Sequence, residues 1–576
     1  MIHRIAFLSY ETAFAPCGGV AAVMSHLPEA IQQRVGKPTI LVTPLHYRIA
    51  KSQKLFSKME FVGCVTVRHE GYPITIQVLR WIDKISWYFL LPDDPRYFAG
   101  VRHPYDVATW QEPGGAVLLR DSFLFGIAAA KALHIIAPGE PWHVMMQDWE
   151  AATAALALCH HPINHKLFLT LHNSYDAHTE EYDLFRFHLP SDGKGGRSLL
   201  ERVLPHVERP VFTVSKQFAA EITEDVLQTR VIAPHLQSIF KRDPLRGIDN
   251  GPFVELAVPQ EILSKEGDAA VQALRQWKGS RRRAFIDALK QVGDAARSGK
   301  EMPWGGFDPP WGSLPGFLEE VEHDEKMPWF VMGGRDDSRQ KGYDVAARAV
   351  RLFLNDGGKG CFLFFPIPGD EGLAGLQFLR RLTEEEPFRR RVLIFPFRFR
   401  EGFMAALQGS HFGLMPSLYE PFGAANEFYL NGTAGIGRAT GGITQQIVPR
   451  RDGQSFAREI ALRAQRYHEP AAPETGILYR EADNLPTAVA DWHGINRGEY
   501  ELGREEMDRV RQRSRFPLFE GMVNGLQLAL MDASHLYQEH PDEYARMLLA
   551  GIKHIQSRFS WEETANLYAQ YLLQNS

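Results

Sequence analysis

The chain of 576 residues lacks features that would assign it to several large classes of protein. Its formal net charge is only -5, whereas a dedicated nucleic-acid binder usually presents a strongly basic face. It has no apolar run near the roughly 18 uninterrupted residues of a membrane-spanning helix. We therefore expect no nucleic-acid partner and no membrane span.

Cysteine is also scarce, and the four cysteines are scattered: Cys17, Cys64, Cys159 and Cys361. Because no two have the CxxC spacing, the sequence predicts neither a zinc site nor a disulfide framework. The first residues, MIHRIAFLSYE, lack the longer apolar core and the cleavage site of a signal peptide. Together these features predict a reducing, cytoplasmic location.

The length of the chain requires two or more domains. Short apolar runs alternate with helical segments in both halves, which is typical of parallel, doubly wound α/β sheets. We expect one domain over 1–320, a second over 321–545 and a final helical segment over 546–576. Residues 302–316, rich in Pro, Gly and Trp, are interpreted as a linker or packed loop, or else as a loop whose Trp304 and Trp311 stack on sugars.

The richest stretch, residues 411–448, reads as a buried strand, a loop, a helix, a second strand and a glycine turn. The loop carries Glu420, the following helical segment carries Glu427, and Thr440-Gly441-Gly442 opens another helix. Ligands of open α/β sheets bind beyond the carboxyl ends of the strands, and glycines at a helix start expose N–H groups to anions. Two carboxylates beside an anion cradle suit a sugar that carries a diphosphate.

Other glycine turns follow predicted strands. Gly18-Gly19 is compatible with an anion site or simply with a tight strand–helix turn. A second turn leads to Arg335 and Lys341, whose planar fork and compact charge suit phosphate oxygens. His172 ends a predicted strand over 166–171 and is a candidate ligand contact, although a lone histidine is more often structural.

Eight motifs occur in an order that covers nearly the whole chain: CGGV, QDWEA, TLHN, FTVSKQFAAEI, RGID, GGRDDSRQKGYD, PSLYEPFG with NGT and ATGG, and RFSWEETANLY. This series resembles the motif blocks of the GT-B glycosyltransferases of the bacterial glycogen synthase and plant starch synthase family. The resemblance implies two Rossmann-like domains facing each other across a cleft, with the last helix returning to the first domain. It also implies retaining transfer of glucose from ADP- or UDP-glucose to the nonreducing end of an α-1,4-glucan, without a metal or other cofactor.

The resemblance also assigns roles to residues. Arg335 and Lys341 would hold the donor diphosphate, and Glu420 would sit at the glucosyl ring; these three, together with His172 and Asp148, are the expected catalytic residues. His172 would face the reacting sugar, and Asp148 would lie near the transferred glucose. Glu427 would lie near the ribose, and Phe399 would stack on the base. Thr440, Gly441 and Gly442 would bind phosphate, and Gly18 and Gly19 would lie near the diphosphate.

The sequence departs from the family pattern mainly in its N-terminal half. Pro16 stands in place of the lysine of the family's KxGG motif. Met145, Gln147 and Glu150 replace the histidines of HxHDWH. These changes leave two alternatives open: the same donor with a different acceptor, either a small molecule or another glycan, or a catalytically weak relative that binds glucan or nucleotide.

Overall fold

The computed structural model describes residues 4–52, 56–106, 114–191, 193, 195–302, 308–324, 326–369, 372–497 and 508–574. The chain divides into an N-terminal unit, Met1–Phe253 with Phe559–Ser576, and a second unit, Val254–Arg558. The division differs from the expected boundary at 320/321, because the long helix Gly267–Ser298 packs on the helix Arg400–Gly409 of the second unit. Its buried Lys278 donates to the carbonyl oxygens of Gln408 at 3.0 Å and Gly432 at 2.6 Å.

The N-terminal unit is built on a large β-sheet. Its strands are β1 (Arg4–Ser9), β2 (Thr39–Pro44), β3 (Glu60–His69), β4 (Tyr72–Ile82), β5 (Ser86–Pro92), β6 (Trp142–Gln147), β7 (Lys166–Leu171), β8 (His178–Thr179), β9 (Arg197–Ser198), β10 (Phe212–Thr213) and β11 (Arg246–Gly247). The main sheet has the order β11-β10-β7-β6-β1-β2-β5-β4-β3, and β8 pairs with β9.

Most of this sheet is parallel, as expected, but β4 runs antiparallel to both β3 and β5. The β3–β4 hairpin closes through Glu70 and Gly71, whose φ angles of 52° and 83° are both positive. Two positive φ angles in a two-residue turn match the twist of antiparallel strands.

Helices cover this sheet and complete its core. They are Gly19–Met24, Leu27–Val35, Tyr47–Ser52, Gly114–Ile136, Asp148–Ala152, Ala154–Leu158, Glu181–Arg186, Leu199–Val203, Lys216–Glu224, Pro234–Arg242 and Trp561–Gln574. The last helix packs on Leu27–Val35, and its Tyr568 ring lies 4.9 Å from that of Phe212. Phe559–Ser576 thus returns to the N-terminal unit, beginning later than the expected 546.

The second unit is a parallel α/β sheet throughout. Its strands are β12 (Trp329–Arg335), β13 (Cys361–Ile367), β14 (Val392–Ile394), β15 (Phe412–Met415), β16 (Ala434–Arg438) and β17 (Ile477–Tyr479), in the order β14-β13-β12-β15-β16-β17. Its helices are Gln260–Leu263, Gly267–Ser298, Leu314–His323, Tyr343–Asn355, Gln377–Leu382, Phe388–Arg391, Arg400–Gly409, Ala425–Leu430, Gly441–Gln446, Arg458–Ala464, Ala488–Asn496, Arg509–Arg513, Pro517–Glu539 and Pro541–Arg558.

The segment 302–316 was expected to be a linker, a packed loop or a sugar-stacking loop. Trp311 exchanges backbone hydrogen bonds with Ile394 at 2.9 and 3.0 Å, so its part of 302–316 is a packed loop. Trp304 lies outside the described residues.

Over the ranges that the structure describes, none of the helices combines the length and apolar character required to cross a bilayer.

Candidate active site

Three loops of the second unit lie at one edge of its sheet, because β12, β15 and β16 are parallel neighbours. They follow Arg335, Met415 and Arg438, the last residues of these strands. The loops are joined by backbone bonds. The N–H of Leu418 donates to the carbonyl oxygen of Gln340 at 2.7 Å, and the N–H of Gly442 donates to that of Glu420 at 3.2 Å.

Lys341 and Glu420, predicted from separate motifs, form an ion pair at this edge. Lys341 Nζ lies 2.8 Å from Glu420 Oε2, with side-chain exposures of 30% and 9%. The Ser417 hydroxyl donates to the same oxygen at 2.9 Å. Burial opposes the charge of Lys341, but Glu420 outweighs it and raises the pKa of the ammonium. The lysine therefore carries its positive charge at neutral pH.

Glu427 and Arg335 belong to the same edge. Glu427 is half-buried in the first turn of the helix Ala425–Leu430. Burial raises the pKa of its carboxyl to about 7, against the influence of Lys341 and with that of Glu420. Arg335 is half-buried at the end of β12. The sequence thus predicted three charged side chains, Lys341, Glu420 and Glu427, whose charges influence one another. It did not predict the contact of Ser417 with Glu420.

The Thr440-Gly441-Gly442 turn lies directly beneath the Glu420 loop. A Cβ on Gly441, whose φ is +46°, would come within 1.5 Å of the Glu420 carbonyl oxygen. A Cβ on Gly442 would come within 2.0 Å of the Phe422 carbonyl oxygen. Glycine is therefore required here for close packing. Because the N–H of Gly442 is bonded to Glu420, its phosphate contact stays a prediction that needs this bond to open.

Phe399 does not present the stacking face that was predicted for a base. Its side chain is 4% exposed, and its ring packs on that of Phe395 with centroids 5.7 Å apart. A Cβ at Gly402 would come within 1.9 Å of the Phe399 ring, so the helix Arg400–Gly409 covers it closely. The sequence identified an aromatic residue near the edge but not its burial in the core.

In the N-terminal unit, Asp148 and His172 meet at the carboxyl ends of β6 and β7. Asp148 Oδ1 accepts the backbone N–H of His172 at 2.6 Å, and its Oδ2 accepts from the Asn173 amide at 3.3 Å. His172 Nε2 lies 2.9 Å from Gln147 Oε1, so it donates to that amide oxygen. Burial lowers the pKa of His172 to about 4, which makes the ring neutral at pH 7. Gln147, noted in the sequence only as a departure, orients it.

Asp148 is held in a strained position. Its φ of 59° lies in the left-handed region that non-glycine residues avoid, and such outliers cluster at functional sites. Burial raises the pKa of its carboxyl to about 7, and Glu11 adds to the increase. Burial and the charge of Asp148 likewise raise the pKa of Glu150. This edge of the sheet therefore collects three acidic groups, Glu11, Asp148 and Glu150.

Glu11 is the functional candidate that the sequence reasoning missed. Its Oε1 accepts the backbone N–H groups of Cys17 at 3.0 Å, Gly18 at 2.5 Å and Ala21 at 3.2 Å. The N–H of Gly18 is thus already bonded to a carboxylate, which differs from the predicted diphosphate contact. A Cβ on Gly19 would meet nothing within 4 Å. A glutamate before the glycine pair was the available signal.

No set of three or more His, Cys, Asp or Glu residues suited to a metal occurs in the described part of the chain. The positive charges described at the second unit's edge are those of Lys341 and Arg335. The predicted independence from metal remains a prediction.

Comparisons with known proteins agree with the two-sheet architecture. A family model described as the starch synthase catalytic domain matches residues 4–235, which lie in the N-terminal unit. A glycogen synthase of Oceanobacillus iheyensis is 24% identical over 465 residues, covering 78% of this chain and 84% of the relative.

Two solved structures are similar in fold. The catalytic domain of starch synthase IV from Arabidopsis thaliana, bound to ADP and acarbose, matches with a TM-score of 0.59 and 15% identity over 95% of this chain and 99% of that one. A sucrose-phosphate synthase from Thermosynechococcus elongatus matches with a TM-score of 0.50 and 16% identity over 99% and 98%.

The fold is therefore that of the GT-B glycosyltransferases, as the motifs predict. The resemblance to the glycogen synthases and starch synthases that the motifs indicate is confirmed by the family model and by the glycogen synthase relative.

Proposed function

We propose that this protein transfers glucose from ADP-glucose or UDP-glucose to the nonreducing end of an α-1,4-glucan, with retention of configuration. The observation that carries the proposal is the Lys341–Glu420 pair, which joins two motifs 79 residues apart at one sheet edge. The family match and the glycogen synthase relative support the choice of sugar chemistry.

In the proposed reaction, the bond between the glucosyl carbon and the diphosphate breaks, the oxygen of a glucan hydroxyl forms a new bond to that carbon on the same face, and the hydroxyl proton passes to the departing diphosphate. Departure of the diphosphate develops negative charge, which Arg335 and Lys341 would stabilise. The sugar develops positive charge, which the Glu420 carboxylate would offset. We propose that these side chains, without a metal, supply the electrostatic stabilisation.

The N-terminal unit would provide the acceptor side. Its neutral His172 can exchange hydrogen bonds with sugar hydroxyls but cannot act as a permanent cation, because its pKa is lowered to about 4 by burial. Glu11, Asp148 and Glu150 are acidic, and Pro16 brings no charge. We propose that these residues of the N-terminal unit favour an uncharged carbohydrate as acceptor over a sugar phosphate. The same composition leaves a different uncharged acceptor as the second candidate.

The proposal is tested by supplying the purified chain with radiolabelled ADP-glucose and UDP-glucose, with and without glycogen. Label incorporated into glycogen supports glucan extension, whereas donor hydrolysis alone supports a different acceptor. Failure to bind or turn over either donor contradicts the proposal and favours a catalytically weak relative. A chelator should leave the rate unchanged if no metal is required.

A matched pair of variants tests the site itself. Lys341→Ala should lower turnover about a hundredfold, by analogy with the loss of one transition-state donor. Lys290→Ala is the control, since Lys290 pairs with Glu322 at the same 2.8 Å in the same unit, with both side chains about half exposed. Equal turnover in the two variants would refute the role given to Lys341.

The predicted cytoplasmic location is retained as part of this proposal. All four cysteines are free thiols, as a reducing compartment permits.

A further inference from the structure

The segment 335–342, called here the donor loop, carries both Arg335 and Lys341. Two arginines from a remote part of the second unit are bonded to its flanks. Arg509 and Arg513 lie on the helix Arg509–Arg513 and are 3% and 2% exposed. Buried arginines are rare unless paired, so their partners carry information about what they do.

Arg509 grips the start of the donor loop. Its two terminal nitrogens donate to Asp336, NH1 to Oδ2 at 2.9 Å and NH2 to Oδ1 at 2.5 Å. The guanidinium also lies over the Phe378 ring, 4.3 Å from its centroid. A two-pronged bond fixes the orientation of a carboxylate as well as its position. Since Asp336 directly follows Arg335, this bond restrains the backbone on which Arg335 stands.

Arg513 is hydrogen-bonded to the middle of the donor loop and to the helix that follows it. Its NH2 donates to the carbonyl oxygens of Ser338 at 2.6 Å and Ile495 at 2.7 Å. Its NH1 donates to Asp344 Oδ2 at 2.9 Å, three residues beyond Lys341. Both anchors are buried, with side-chain exposures of 2% for Arg513 and 0% for Asp344. The arginine therefore ties the donor loop to the first turn of the helix Tyr343–Asn355.

These contacts also neutralise the negative charges of Asp336 and Asp344. Asp336 and Asp344 are carboxylates close in sequence to the two cations proposed for the diphosphate. Left unpaired, they would compete with the diphosphate for Arg335 and Lys341 and would repel it. Two arginines neutralise two aspartates, which leaves the proposed phosphate-binding cations with fewer anionic neighbours.

We propose that Arg509 and Arg513 are positioning residues for the nucleotide-diphosphate site: they fix the donor loop and neutralise its two flanking aspartates. This inference rests on the proposed function. Arginine is required for it, because lysine offers a point charge that cannot reproduce the two-pronged bond to Asp336 or the three-way bonding of Arg513.

The test compares the variants Arg509→Lys and Arg513→Lys with the wild-type protein. The donor KM, the glycogen KM, kcat and the dissociation constant for ADP-glucose and UDP-glucose are measured well below each variant's Tm. We expect the donor KM and dissociation constant to rise about ten- to a hundredfold, because small misplacements of binding groups are costly. The glycogen KM should change less than twofold.

Arg463→Lys is the matched control. Arg463 makes a two-pronged bond to Asp483, at 2.7 and 3.0 Å, in the same unit, and neither residue is bonded to the donor loop in the contacts described. Asp336→Asn is a second, milder variant, which keeps the shape of the side chain if the arginine variants do not fold. It should raise the donor KM in the same direction.

The outcomes separate this inference from the proposed function. Wild-type protein that binds a donor, with arginine variants that are folded and bind it within twofold, overturns the positioning role alone. A lowered Tm with unchanged donor binding also overturns it, since that result indicates a purely structural role. Wild-type protein that binds neither donor overturns both proposals.

Discussion

Arg438 provides a quantitative test of how the Glu420 loop is held. Its guanidinium is buried at the end of β16 and donates from Nε to Glu481 Oε2 at 2.8 Å. Its NH1 donates to the carbonyl oxygen of Leu418 at 2.5 Å, two residues before Glu420. The change Arg438→Met would remove both the counter-charge of Glu481 and this anchor of the loop.

The magnitude follows from the state of Glu481. Burial alone would raise the pKa of this carboxyl, but Arg438 and Arg480 lower it from 4.5 to about 2. At ~1.4 kcal/mol for each pKa unit, the fall corresponds to about 3 kcal/mol of stability at neutral pH. Breaking a buried ion pair by removing one partner costs a similar ~3–5 kcal/mol. We therefore expect Arg438→Met to lower the free energy of unfolding by about 3 kcal/mol.

Urea unfolding of wild-type and variant proteins at several pH values measures this loss. The stabilisation from a lowered carboxyl pKa is present above the unfolded value near 4.5 and disappears as the pH falls toward 2. The difference between the two proteins should therefore be larger at pH 6 than at pH 3. Arg275→Met is the control, because its pair with Asp542 at 2.7 Å is half exposed and is worth under about 1 kcal/mol. A loss below about 1 kcal/mol in Arg438→Met, or one independent of pH, would refute the reasoning.

Two further predictions concern the same unit. The carboxyl pKa of Glu427 is raised by burial from 4.5 to about 7, so wild-type stability should fall between these pH values as the group ionises, and Glu427→Gln should reduce that fall in thermal unfolding. A pH dependence equal to that of wild type would contradict the burial of a titrating Glu427. Gly441→Ala should be strongly destabilising, because its Cβ would collide with the Glu420 carbonyl oxygen at 1.5 Å, whereas Gly19→Ala should hardly change Tm, since its Cβ meets open space. Similar Tm values for these two alanine variants would count against the close packing of the 440–442 turn.

The sequence predicted the sheet edges well because their signals are local. Phe412–Met415 is an apolar run that ends at Pro416, Lys166–Leu171 is a mostly apolar run followed by His172, and both are strands in the structure. Parallel pairing then brings the residues after each strand to one edge, where Lys341 and Glu420, selected from separate motifs, form an ion pair.

The contacts that the sequence did not reveal depend on long-range packing. Asp336 and Arg509 are 173 residues apart, and no local pattern relates them. Burial was equally hard to foresee: Phe399 matched a stacking position by alignment of motifs but lies in the core. Glu11 occupies backbone N–H groups that a reading of glycines alone assigns to phosphate.

The domain boundary shows a third kind of limit. The charged residues Lys278 to Arg283 are typical of a solvated helix face, and the helix Gly267–Ser298 does carry exposed charges along its length. Lys278 itself is buried, because three carbonyl groups of the second unit accept its hydrogen bonds. The helix belongs to the second unit because it packs on the helix Arg400–Gly409, and sequence composition could not identify the one lysine that is buried with its apolar face.

The most direct test of the central claim is the turnover and nucleotide affinity of Glu420→Gln. Glucosyl transfer to glycogen should fall about a hundredfold, while the dissociation constant for the nucleotide should change only a few-fold, since the carboxylate acts on the sugar. Glu322→Gln, which alters the exposed Lys290–Glu322 pair, is the control and should behave as wild type. Undiminished transfer in a folded Glu420→Gln protein, or loss of nucleotide binding alone, would contradict the account.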